Sequence, residues 1–209
     1  AFLDVIHGTQ KFVTSSFTTA GSACANLGVG PVMVDNVVGV IKAYITRVGE
    51  GPMPTELKDD LGVQMREKGG EYGTTTGRAR RCGWFDAVLG LKSVYLNGYT
   101  ELALTKLDVL TEINPIKICI GYELDGETLG YPPEATVDLA RCQPIYEDMP
   151  GWTGDLSAIK EYDDLPANAR AYVERLEDLL YVEPLDNCIA AVSVGPGREQ
   201  TIYRDEPED

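Results

Sequence analysis

The 209-residue chain is short of histidine, of basic residues and of long apolar runs, and each shortage closes off a class of function. Its one histidine, His7, has no identifiable acid–base partner, so it reads as a structural or solvated residue. Lysine and arginine together number 18 against 33 acidic residues, for a formal net charge of -15. That balance argues against nucleic acid as a partner, because phosphate backbones are bound by basic surfaces. The acidity is uneven. From Glu147 to the end, sixteen acidic residues stand against five basic ones, as expected of a solvated outer face. No apolar run approaches the ~20 residues that cross a bilayer, so no membrane partner is expected. No secretory signal pattern opens the chain. It begins on AFLDV, which reads as a strand without a lead-in, as expected of a segment cut from a longer protein. The five cysteines, Cys24, Cys82, Cys119, Cys142 and Cys188, are odd in number and widely spaced, with no CxxC pair. That disfavours a disulfide framework or a structural zinc site, and it suits reduced thiols in a cytoplasm. No GxxxxGK[ST] loop occurs, so nothing here cradles a triphosphate by itself.

What is present supports an ordinary core. Apolar residues make up 44% of the chain, enough for one sizeable domain or two small ones. AFLDVI, Ala1 to Ile6, has a short buried-strand pattern. The Gly-, Ser- and Thr-rich stretch from His7 to Gly28 has no clean period and reads as a long functional loop. From Pro31 to Val48 apolar residues recur at spacings of three and four, which predicts a helix that turns to strand near Ile45. GEGPMPTEL is a Gly/Pro loop. A second helix is predicted from Phe85 to Asn97, ended by Asn97-Gly98. Leu102 to Leu104 is a short strand. Ile116 to Leu124 is another, with an Asp125-Gly126 turn behind it. A β-rich or irregular region is expected up to Asp163, then an amphipathic helix from Leu165 to Leu180. Cys188 to Gly197 gives a last buried strand. Helices alternate with strands and there are no repeats, which predicts an α/β fold, a mixed sheet with flanking helices.

Three stretches offer chemistry. EYGTTTGRARRCGW, Glu71 to Trp84, gathers three threonines, Gly77 and three arginines into one short loop, a costly arrangement unless an anion sits among them. LTKLDVL places Lys106 and Asp108 two apart at a strand exit. A carboxylate there could accept both N1–H and N2–H of guanine, which adenine cannot offer, while the lysine stem covers the base. The same pair equally suits two surface charges. SVGPG, Ser193 to Gly197, is a second strand exit where Gly195 permits close backbone approach. Ligands of open α/β sheets bind at such carboxyl ends, so the two exits could share one site; an ordinary turn is the alternative. VTSSFTTAG, Val13 to Gly21, carries five hydroxyls suited to phosphate, or to a plain Ser/Thr surface loop.

Taken in order, VTSSFTTAG, KAYITRVGEGPMPTEL, EYGTTTGRARRCGWFDAV, LALTKLDVL, PIYEDMPGW and SVGPGREQTI resemble the C-terminal half of the adenylosuccinate synthetase family. The resemblance covers residues 1–209 and implies the C-terminal part of that family's P-loop-like fold. It implies a ligase of purine (AMP) biosynthesis. GTP first phosphorylates the 6-oxygen of IMP, and the amino group of L-aspartate then displaces that phosphate, giving adenylosuccinate, GDP and phosphate. By the same resemblance, Thr74, Thr75, Thr76, Gly77, Arg78, Ala79 and Arg80 form the loop that closes on L-aspartate, and Val48 lines that site. Thr14 and Arg78 reach IMP. Arg80, Lys106, Leu107, Asp108, Ser193, Val194 and Gly195 serve GTP.

The resemblance also implies what lies elsewhere. The family's phosphate loop, catalytic acid and base, Mg²⁺ ligands and the arginine donated across a homodimer belong to its N-terminal half. No catalytic or metal residue is therefore assigned to this chain, and the chain alone is expected to be inactive and cytoplasmic. Ile6 stands where the family usually has aspartate, Phe17 where it has asparagine, and Ala79 where proline or arginine is common. Uncovered strand edges make self-association an expectation. The other reading is a non-catalytic module that binds a dicarboxylate or a purine nucleotide.

Overall fold

A computed structural model gives the fold and describes residues 1–183 and 189–204. The first twenty residues form turns, not the expected strand at Ala1 to Ile6. The reason is Asp4, which is fully buried and accepts the backbone N–H groups of Ile6 at 2.9 Å, His7 at 3.0 Å and Thr18 at 2.7 Å. A short carboxylate that bonds its neighbours' amides competes with a strand ladder. Helix α1 (Gly21–Leu27) interrupts the stretch that reads as one long loop, and Gly28 ends it in the left-handed region.

The helix expected from Pro31 onward is absent. The segment holds a single 3₁₀ turn, Pro31–Met33, followed by β1 (Val38–Lys42) and β2 (Ile45–Arg47). Its apolar residues are mostly β-branched, and such side chains fit a pleated surface better than a helix. Gly39 is needed where it stands, since a Cβ there would lie 2.8 Å from Leu102 and from the Tyr99 ring. Helix α2 (Asp60–Gly69) follows. Asp59 caps its start by accepting the Gly62 N–H, and Gly70 ends it. Next come β3 (Arg81–Gly83), β4 (Phe85–Asp86) and α3 (Ala87–Asn97), with Gly98 as the left-handed end that Asn97-Gly98 predicts. Strands β5 (Glu101–Thr105), β6 (Ile116–Leu124) and β7 (Glu127–Leu129) lead to α4 (Thr136–Leu139) and β8 (Gln143–Met149). The turn at Asp125 and Gly126 has positive φ at both residues, as tight hairpins require. Helix α5 (Ala167–Leu180), β9 (Ile189–Ser193) and β10 (Thr201–Tyr203) complete the order. Cys188, the expected start of the last buried strand, lies outside the described residues.

The strands form two larger sheets and a pair, so the fold is mixed α/β with flanking helices. One sheet has the order β1-β5-β9-β10. Its first three strands are parallel and β10 is antiparallel to β9. The second joins β4, β6, β7 and β8, and β2 pairs with β3. The main core packs Leu102 and Leu104 of β5, Ile189 and Val192 of β9, Ile116 and Ile118 of β6, and Tyr172 and Leu176 of α5. The other face of the first sheet, including Val38, Val40 and Tyr203, is exposed. Parallel sheets are ordinarily covered on both faces.

Candidate functional site

The threonine loop is a compact hairpin. Tyr72 and Ala79 form an antiparallel bridge, the Gly73 N–H donates to the Arg78 carbonyl at 2.8 Å, and the Gly77 N–H donates to the Gly73 carbonyl at 2.7 Å. Gly77 sits at φ +62°, a left-handed position that favours glycine. The turn presents Thr74, Thr75, Thr76, Gly77, Arg78 and Ala79 to solvent. The Thr76 hydroxyl accepts the Arg78 N–H at 3.4 Å.

The three arginines of the motif have separate surroundings. Arg81 pairs with Glu56 through two contacts of 2.8 and 2.6 Å and donates to the Gly49 and Gly51 carbonyls, so it fastens the loop beside Val48. Arg80 donates to Glu71 at 2.8 Å, and its own carbonyl accepts from Arg66. Arg78 stands at the exposed tip. The β2–β3 register pairs Arg47 with Arg81 at the end of the ladder, and Val48 and Arg80 are the next residues along each chain beyond it. The resemblance assigns Val48 and the threonine loop to one ligand, and the register brings them to the same strand end.

Arg47 extends this corner toward the first loop. It is buried and donates to the Glu50 and Pro52 carbonyls, to the Thr9 hydroxyl and to the Phe12 carbonyl. Thr14 is two residues beyond Phe12. Its N–H donates to Leu3, and its hydroxyl lies 3.3 Å from that of Ser16. Ile6, His7 and Phe17 on this same loop region are exposed.

The two strand exits are adjacent because β5 and β9 are parallel, with Leu104 in register with Val192. Lys106 has φ +66°, and its ammonium donates to the Gly69 carbonyl at 2.8 Å at the end of α2. Leu107 opens a 3₁₀ turn with its side chain buried, and Asp108 is half-buried. At the neighbouring strand exit, the Ser193 hydroxyl donates to the Gly195 carbonyl at 2.8 Å, and the buried Val194 donates its N–H to the Gln200 carbonyl. A Cβ on Gly195 would lie 2.4 Å from the Gln200 side chain. Lys106 to Asp108 and Ser193 to Gly195 therefore follow neighbouring parallel strands at the same end of the sheet.

Glu71 joins the parts, and sequence reasoning missed it although it heads the motif. Its carboxylate is 1% exposed. It accepts from the Lys42 ammonium at 2.8 and 2.9 Å, from the Tyr44 hydroxyl at 2.7 Å and from Arg80 at 2.8 Å. Burial pushes its ionisation up, but the bonds from Lys42, Tyr44 and Arg80 outweigh that and hold it below the usual range. Burial pushes the Lys42 ammonium down, with Arg80 and Lys106 adding like-charge repulsion against the pull of Glu71. Beside these groups lies a cavity of about 410 Å³ lined by Phe2, Val40, Ile45, Met53, Leu89 and Asp86, among others. It does not reach Asp108 or the tip of the threonine loop. Among the described residues no group of three or more His, Cys, Asp or Glu side chains could hold a metal ion, and no helix is long and apolar enough to cross a membrane.

Known proteins share this sequence and fold. A family model described as adenylosuccinate synthetase matches residues 1–202. Proteins named adenylosuccinate synthetase from Methanothrix thermoacetophila and Methanosarcina barkeri are 76% and 64% identical over 203 residues, which is 97% of this chain and 47% of each of theirs. The solved structure of fully ligated adenylosuccinate synthetase from Plasmodium falciparum aligns with a TM-score of 0.93 at 41% identity, covering 98% of this chain and 48% of that one. The chain thus spans about half the length of the curated relatives it matches.

Proposed function

The chain belongs to the adenylosuccinate synthetase family, and on that premise we propose that it is the substrate-reading half of a ligase that joins IMP to L-aspartate at the expense of GTP. The threonine loop takes the two carboxylates of L-aspartate. Thr75 and Thr76 supply hydroxyls, Arg78 and Arg80 supply guanidinium forks, and Val48 lines the pocket from the facing strand end. Thr14 binds the phosphate of IMP, with Arg78 reaching the same nucleotide. Asp108 reads the two N–H donors of guanine while Lys106 covers the base, and Ser193 to Gly195 complete the site from the neighbouring strand exit.

The chemistry then divides between the halves of the protein. GTP phosphorylates the 6-oxygen of IMP, and the aspartate amine displaces that phosphate. This chain binds and orients the amine donor and places Arg80 where negative charge develops on the transferring phosphoryl group. Mg²⁺, the general acid and the general base come from the length of the relatives beyond this chain. Activity therefore needs both halves, in a cytoplasmic homodimer.

One observation carries this reading. Glu71 ties Arg80 of the loop to Lys42 at the end of β1, and the Lys106 ammonium reaches the Gly69 carbonyl two residues before Glu71, so the loop and the guanine-reading exit are both braced at the C-terminal end of α2. The test is calorimetric titration of GTP and ATP into the chain. GTP should bind in preference to ATP. Asp108→Ala should weaken GTP by roughly tenfold to a hundredfold, the range for a lost hydrogen bond to a charged group, and leave ATP unchanged. Equal binding of the two nucleotides would sink the assignment of Asp108.

A further inference from the structure

We infer that Glu71 is the positioning residue of the threonine loop, acting through Arg80; the inference rests on the reading of that loop as the clamp for L-aspartate. Both ends of the hairpin meet at this residue. The Glu71 N–H donates to the Arg66 carbonyl at 2.9 Å, and the Glu71 carbonyl accepts the Arg80 N–H at 2.9 Å. Its side chain then leaves the loop and enters the protein, where Lys42 and Tyr44 hold it. The loop's closing residue is thus fastened to the sheet by one buried carboxylate.

The two oxygens have different tasks. Oε1 accepts from Tyr44 and Lys42, and Oε2 accepts from Arg80 and Lys42. Without the negative charge, Lys42 and Arg80 would be two half-buried cations facing each other, and Arg80 would turn to solvent. Glu71→Gln separates these roles. The amide oxygen can keep the Tyr44 bond at Oε1, while the amide NH₂ would confront the Arg80 guanidinium, donor against donor. The substitution therefore displaces Arg80 while leaving the buried Tyr44 contact that the fold uses.

The experiment is steady-state kinetics in the full-length ligase that carries this chain, with wild type, Glu71→Gln, Arg80→Ala and the double variant. Glu71→Gln should raise KM for L-aspartate about tenfold, the scale of one charge-assisted bond, and lower kcat in parallel with Arg80→Ala, because Arg80 also stands where charge develops. The double variant should be no worse than Arg80→Ala, because Glu71 acts through Arg80. Effects that multiply in the double variant, or an unchanged KM in Glu71→Gln, would overturn the inference and leave the aspartate reading standing. If Glu71→Gln does not fold, Glu71→Asp, which keeps the charge but withdraws it by one methylene, enters the same cycle with the same criterion. A wild-type protein without aspartate-dependent turnover would overturn the aspartate reading, and the role of Glu71 with it.

Discussion

Replacing Asp86 by asparagine should make the protein's stability less dependent on pH. Asp86 is 1% exposed. It starts α3 by accepting the Leu89 N–H at 3.1 Å, and it accepts the Tyr122 hydroxyl at 2.6 Å. Burial pushes its carboxyl up to about 6 from an ordinary value of 3.8, and the bonds from Tyr122 and the α3 amides recover only part of that. The unfolded chain releases this proton near pH 4, while the folded protein keeps it until about pH 6. Between those limits the folded state holds a proton that the unfolded state has lost, so stability falls as pH rises. A gap of about two pH units at about 1.4 kcal/mol each amounts to about 3 kcal/mol, fully present below pH 4 and gone above about pH 6. The nearby groups Tyr122, Cys119 and Cys142 are all pushed up by burial and stay neutral throughout this range. Asp86→Asn keeps an oxygen for the Leu89 N–H and removes the titration. Urea unfolding of both proteins at pH 4 and pH 7 should show the variant gaining on wild type by about 3 kcal/mol across the interval. A difference that stays constant would refute the reasoning.

Two further substitutions test packing. Gly151→Ala would place a Cβ 1.9 Å from the Ile113 carbonyl oxygen, so urea unfolding should show a loss of about 1–3 kcal/mol. An unaffected midpoint would contradict that contact. Tyr172→Phe removes the hydroxyl that donates to the Ala43 carbonyl at 2.6 Å in the core, and should cost about 1–2 kcal/mol, measured the same way.

Elements whose burial follows a simple period are legible in the sequence. Helix α5 buries Ala169, Tyr172, Val173 and Leu176, a helical stripe that the apolar spacing predicts; Leu179, expected to end that stripe, is half-buried and Leu180 is buried in its stead. Strand β6 is legible from its β-rich run, although a register shift between Cys119 and Gly121 breaks its burial period, and the Asp125-Gly126 turn declares itself through residues that tolerate positive φ. Helix α2 is hidden because its buried positions are Gly62, Met65 and Gly69, so two of the three carry no apolar side chain. The Pro31 to Val48 segment misleads because β-branched residues spaced by three and four fit two periods, and pairing with β5 decides between them. The site divides in the same way. Motifs expose the threonine loop and the two strand exits, since each is a run of neighbours. Glu71 heads the threonine motif, but its role is not legible there, because its partners Lys42 and Tyr44 lie 29 and 27 residues away and only folding joins them.

The pairing of β5 with β9 also sets a schedule for synthesis. Lys106 to Asp108 at the end of β5 are synthesised well before Ser193 to Gly195 at the end of β9. Strand β10 must then fold back along β9 before the Val194 N–H finds the Gln200 carbonyl. A ligand held by both exits therefore cannot be gripped until β9 has docked beside β5, so its capture reports that the sheet is complete.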